Sequence, residues 1–194
     1  MDAINKLLSH VEESVELNGE DRRLIRSYFK TRQLEKKESL LFKGDVSREM
    51  RFIADGCLRC YNIDPKGEEH ILHFGIEGWW INDLYSYLTQ TPAKFFIQAL
   101  EDSTLLQVDR SDLELLLDKS PALERFFRIK IQNAYVVLQE RTIHAMSKTA
   151  KERYEDFRTR YPSIERRVPQ YMIASYLGIT PEFLSTIRNE LSSG

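Results

Sequence analysis

The apolar positions along the chain change their period more than once. Between residues 3 and 30 they recur at helical spacing: Ile4, Leu7, Leu8, Val11 and Val15 form one stripe, and Asn18 is placed to cap a second helix over "GEDRRLIRSYFK". From about Leu34 this gives way to short apolar or alternating runs, punctuated by Gly44, Gly56, Asp64-Pro65-Lys66-Gly67, Gly75 and Gly78. Each of these offers the backbone a sharp reversal, so the region is predicted to be an antiparallel barrel or sandwich. "AKFFIQALEDSTLLQVDRSDLELLL" adds two more strands before its end turns helical, and "PALERFFRIKIQNAYVVLQERTIHAM" follows with no glycine or proline after Pro121.

In that long helix Phe127, Ile131, Ala134, Leu138 and Ala145 follow alternating steps of four and three, with Arg141 in the one missing position. Such a seam fits helix pairing across a dimer axis. Ile129, Val136, Val137 and Ile143 add apolar surface on other sides, which fits packing on the chain's own barrel as well.

The stretch "VPQYMIASYLGITPEFLSTIRNEL" carries two sets of helix signals. Pro169 suits a first turn and Gly178 a left-handed stop; Thr180 then caps a second helix that has Pro181 at its first position and Glu182 in its first turn. Ile173, Ala174, Leu177, Ile179, Leu184 and Ile187 fall into one packing register, with the small Ala174 allowing close approach. The pattern predicts a helix-turn-helix whose second helix leaves Glu182, Ser185, Thr186, Arg188 and Asn189 outside, able to meet base edges or phosphate. Gln170 and the N-terminus of the second helix, at Thr180 and Pro181, are positioned for phosphate.

Composition narrows the classes without naming one. The 194 residues are 42% hydrophobic and 30% charged, as in ordinary globular proteins, and the formal charge of -2 does not announce nucleic acid. Yet residues 148–194 hold eight Lys or Arg against six Asp or Glu, a mildly basic piece on an acidic body. Cys57 and Cys60 are too few for a disulfide framework or a complete zinc or cluster site, and read as structural. No apolar run is long enough to span a membrane and no signal peptide is evident, so a cytoplasmic location is expected.

Taken together, the glycine-punctuated strands, the long helix and "VPQYMIASYLGITPEFLSTIR", with "EGWWINDLYSYLTQTPAKFFIQALEDS" as a second element, resemble the bacterial cyclic-AMP receptor protein/FNR (Crp/Fnr) family over nearly the whole chain. The resemblance implies an α+β fold: a double-stranded β-helix, or jelly-roll, sensor at 1–117, a dimerisation helix at 118–147 and a winged helix-turn-helix at 148–194. It implies a homodimeric transcription regulator on a pseudo-palindromic duplex operator, with RNA polymerase as a further partner.

Departures from the family pattern qualify the effector. The resemblance implies an effector pocket at Ile81, Asn82, Asp83, Leu84, Ala93 and Lys94, where Asn82 stands at the family's glycine and Ala93 at its phosphate-clamping arginine. A neighbouring lysine is a point charge and replaces a bidentate guanidinium poorly, so cyclic AMP is not expected; the effector is an unknown small molecule or none, with no cofactor. Glu182 matches the family's base-reading acid, whereas the flanking arginines become Pro181 and Thr186. "RYPSIERRVPQ" is short for a complete hairpin, so a reduced or absent wing is expected.

Two other functional classes fit parts of the pattern. One is a ligand-binding module whose helical tail makes protein contacts. The other is a cupin-like metal enzyme using Glu69, His70 and His73; strand alternation puts His70 opposite the other two, so no catalytic or metal-binding set is expected. Phe74, Trp79 and Trp80 are expected to fill the roll and its junction with the long helix.

Overall fold

The computed structural model describes residues 2–193, the side chain of Ser193 excepted. The apolar N-terminal stripe forms α1 (Ala3–Glu12), capped by the Asp2 carboxylate. α2 (Gly19–Tyr28) opens on a reciprocal cap between Asn18 and Asp21. The strands are β1 (Lys30–Leu34), β2 (Ser39–Leu41), β3 (Glu49–Asp55), β4 (Cys57–Ile63), β5 (Glu69–Ile76), β6 (Phe96–Ala99) and β7 (Ser103–Asp109), with the short α3 (Leu84–Thr89) inserted before β6. They make two antiparallel sheets, ordered β1-β7-β3 and β2-β6-β4-β5, which leaves β5 on an edge.

Ile53, Leu58, Cys60, Ile81, Ile97 and Leu105 fill the space between the sheets. Close approach there has a cost in side-chain choice. A Cβ on Gly75 would lie 2.6 Å from Ile53 Cδ1, and one on Gly56, whose φ is +108°, would lie 2.1 Å from Ser103 Oγ.

Both sheets are covered on their outer faces too. α1, α2, α4 (Arg110–Lys119) and the first turns of α5 (Pro121–Ser147) bury Met50, Phe52, Leu106 and Val108 on one side. The C-terminal helices α6 (Ala150–Arg160), α7 (Pro162–Arg167) and α8 (Gln170–Leu177) bury Cys57, Tyr61, Ile71 and Phe74 on the other. That double coverage explains why Met50–Ala54 and Cys57–Tyr61 are buried without alternation.

Trp79 and Trp80 run along β3, with Ile53 N donating to Trp79 O at 2.8 Å. Adjacent side chains on an extended backbone diverge. Trp79 meets Tyr161 of the C-terminal unit, with ring centroids 5.5 Å apart, while Trp80 packs on Phe126 and Phe127 at the root of α5. Neither fills the space between the sheets, which corrects half of the expectation for this pair; the junction with the long helix is where Trp80 does sit. The segment expected to be short for a complete hairpin is helical, as α7, and among the described residues no strand follows β7.

Candidate nucleic-acid interface

α8 ends where Gly178 turns left-handed, at φ 69° and ψ 36°. Thr180 Oγ1 then accepts from Phe183 N at 3.2 Å and starts α9 (Pro181–Ser193). Met172, Ile173, Ala174, Leu177, Leu184 and Ile187 are buried together with Tyr154, Phe157, Ile164 and Val168, while Ile179 is half-buried. The caps and small residue read from sequence thus coincide with a packed helix pair.

Thr180, Pro181, Glu182, Ser185, Thr186, Arg188 and Asn189 are all exposed, as is Phe183 at 50%. Thr186 Oγ1 donates to Glu182 O at 3.2 Å, so its hydroxyl is turned back onto the helix. Gln170 is half-buried, and its Oε1 is enclosed without a hydrogen-bond donor.

The helix pair does not hang free of the roll. Ser175 Oγ accepts from Ile71 N at 3.0 Å and donates to Glu69 O at 2.9 Å, so one hydroxyl occupies two main-chain positions on the open edge of β5. Next to it Arg141 of α5 donates to Leu72 O and, at 3.3 Å, to Tyr176 O, with its guanidinium 4.4 Å from the Tyr176 ring centroid. Arg153 of α6 donates to Lys148 O at 2.7 Å and to Leu177 O at 3.1 Å. Two cations therefore meet the last carbonyls of α8, where the helix dipole is negative.

A third tether is ionic. Arg167 forks onto Glu77 at 2.7 and 2.8 Å and also donates to Glu101; Gly56 N adds a bond to Glu77 at 3.1 Å. Burial alone would lift the Glu77 carboxyl, but the Arg167 hydrogen bonds and charge outweigh it and hold the pKa below the usual range. The same carboxylates keep Arg167 firmly protonated.

In the expected effector pocket Ile81 and Ala93 are buried, and Asn82 Oδ1 is enclosed without a donor. Asp83 is committed: its carboxylate accepts from Ser86 N at 2.9 Å, capping α3, and from Lys94 N at 3.0 Å. Leu84 begins α3, and the Lys94 ammonium lies 4.6 Å over the exposed ring of Tyr85. The acid thus ties the two ends of this segment together, and the lysine is held at the surface.

His73 lies opposite Cys60 in the β4–β5 ladder. Burial, then the nearby Arg141 charge, lower its pKa to about 4 against the opposing pull of Asp83, so the ring is neutral at neutral pH. Burial likewise pushes both thiols up to about 12, which leaves Cys57 and Cys60 as protonated packing residues. The three residues of the enzyme alternative go to separate places: Glu69 binds Arg59, His70 binds Asp64 at 3.1 Å and His73 faces Cys60.

Along α5, Ile131, Ala134, Leu138 and Ala145 are exposed, and so are Tyr135 and Met146, which the seam pattern left out. Two expected seam residues are engaged inside the chain. Phe127 is 5% exposed and packs on Trp80, and Arg141 holds β5 to α8. Phe127 lies in the part of α5 that roots in the core, where the same three-four spacing serves intrachain packing. Ser175, Arg167 and Phe183 carried no sequence mark beyond being compatible with a helix surface.

Residues 31–120 match the cyclic nucleotide-binding domain family. Over 165 residues the chain is 26% identical to the fumarate and nitrate reduction regulatory protein of Vibrio cholerae, which spans 79% of this chain and 65% of that relative. The chain thus covers less than two thirds of that relative's length. Its fold resembles FixK2 of Bradyrhizobium japonicum (TM-score 0.68, 18% identity, 85% of each chain). A transcriptional regulator described as of the crp/fnr family, from Eubacterium rectale, is similar too (TM-score 0.67, 18% identity, 91% of this chain and 84% of that one).

Proposed function

We propose that this chain, whose residues 31–120 match the cyclic nucleotide-binding domain family and whose fold resembles those of FixK2 and a crp/fnr-family regulator, is a DNA-binding transcription regulator acting as a homodimer. The observation that carries the reading is the outer face of α9. Glu182, Ser185, Thr186, Arg188 and Asn189 are solvent-exposed on a helix fixed by a buried core, while the docking on the roll engages α8 instead.

In this reading Glu182 accepts from a cytosine amino group, Arg188 binds a guanine edge or a phosphate, and Asn189 suits adenine. Ser185, Thr180 and Gln170 set the register on the backbone. Ile131, Ala134, Leu138 and Ala145, joined by Tyr135, form the dimer seam, and two-fold pairing places the reading helices on half-sites about 34 Å apart. RNA polymerase is the further partner of a regulator that activates.

The roll supplies the sensor, for an unknown small effector other than cyclic AMP. With Asp83 bonded to two backbone amides and no arginine at Ala93, a buried phosphate would find no guanidinium there. Arg141 supports the coupling: one side chain on the dimer helix touches the sensor strand at Leu72 and the first reading-unit helix at Tyr176. A displacement of β5 would reach α8 through it and through Ser175.

The test is selection of genomic fragments by the purified full chain, followed by anisotropy titration against random duplex. An enriched inverted repeat bound with a steep salt dependence is the expected result. Equal binding to selected and random DNA at low salt would refute the reading.

A further inference from the structure

The reading helix carries one large apolar side chain at its working end. Phe183 is half-exposed on the first turn of α9, and its backbone N–H is fixed by Thr180 Oγ1. A lone exposed apolar residue needs no explanation by itself; its place and its neighbour give it meaning.

At about 100° per residue, Leu184 and Ile187 define the inward side of α9, Glu182 and Asn189 point away from it, and Phe183 lies about a quarter turn from Glu182. Thr186, three residues on, is adjacent to Phe183 on the helix surface. Because the Thr186 hydroxyl is bonded back to Glu182 O, its methyl is the part left to contact a ligand. A phenyl and a methyl therefore border the acid Glu182 at the helix end that enters a groove first.

A phenyl cannot hydrogen-bond a base edge. In the major groove the apolar feature that distinguishes one base pair from the rest is the thymine C5-methyl. Resting on the DNA-binding reading above, the geometry points to Phe183, with the Thr186 methyl, as the reader of a thymine methyl in each half-site, next to the base pair met by Glu182. Phe183 is thus a specificity-determining residue, and the operator it selects contains a fixed thymine flanking a C·G pair.

The test uses the full chain and the duplex recovered by genomic selection, with each thymine replaced in turn by deoxyuridine, which removes only the methyl. At one position per half-site the loss is about fourfold, and about fifteenfold when both half-sites are changed, as expected when the burial of one methyl group per half-site is lost. Phe183→Ala binds the parent duplex more weakly and is indifferent to uridine at that position, whereas Phe183→Leu keeps most of the sensitivity. The side chain is exposed, so circular dichroism should show both variants folded. Indifference of the unmodified protein to every uridine, or unchanged sensitivity in Phe183→Ala, would overturn the assignment while leaving DNA binding intact. Failure to bind any selected duplex would overturn the DNA-binding reading and this one together.

Discussion

Replacing Ser175 by alanine removes one hydroxyl and two hydrogen bonds across the contact between α8 and β5. Ile71 is buried, so its amide loses its acceptor without gaining water, while Glu69 O is nearer solvent. A lost bond costs about 1 kcal/mol net and a buried group left unsatisfied somewhat more, giving about 2 kcal/mol for the pair. Alanine is a better helix former than serine and returns about 0.5 kcal/mol. The expected net loss is about 1.5 kcal/mol, a little over tenfold in the docking equilibrium.

Trp79 reports that equilibrium, because its ring sits 5.5 Å from Tyr161 on the C-terminal unit. In a Trp80→Phe background Trp79 is the sole tryptophan. A urea titration followed by its emission should shift to lower denaturant in Ser175→Ala, ahead of the loss of roll structure seen by circular dichroism. A midpoint shift equivalent to less than about 0.3 kcal/mol would mean that the hydroxyl contributes nothing to the docking.

Two further outcomes follow from the tethers and the long helix. Glu77 has a folded-state pKa below its ordinary value, so its contribution is complete above about 4.5 and is lost as pH falls toward the lowered value. Glu77→Gln should therefore flatten the acid side of a stability profile measured by urea midpoints, and an unchanged profile would remove Arg167 from the docking. Leu138→Glu puts a charge on the exposed α5 seam and should yield a folded monomer by sedimentation velocity; a persistent dimer would place the interface elsewhere.

Local chemistry made much of this architecture legible. The Asp64–Gly67 reversal, the Asn18 cap and the Gly178 stop are each set by one or two residues whose backbone preferences admit few alternatives. The buried register was equally plain, since Ile173, Ala174 and Leu177 on α8, and Leu184 and Ile187 on α9, recur at steps of three and four. Contacts between distant segments were not legible. Ser175 reads as an ordinary polar helix residue until β5 lies against it, more than a hundred positions earlier in the chain. Phe127 and Arg141 obey the seam spacing as well as Leu138 does, because three-four steps record that a face is covered, not by what. The stacking of the Lys94 ammonium over the Tyr85 ring, nine positions away, is likewise a contact that no spacing rule marks.

The side chains that close the margin of β5 give the helical tail a second duty, as a cover. With α8 lifted away, Glu69 O and Ile71 N would stand bare beside Tyr61 and Phe74, an invitation to strand pairing between molecules. A roll expressed without its tail would be adhesive, and would display a surface that the intact chain keeps to itself.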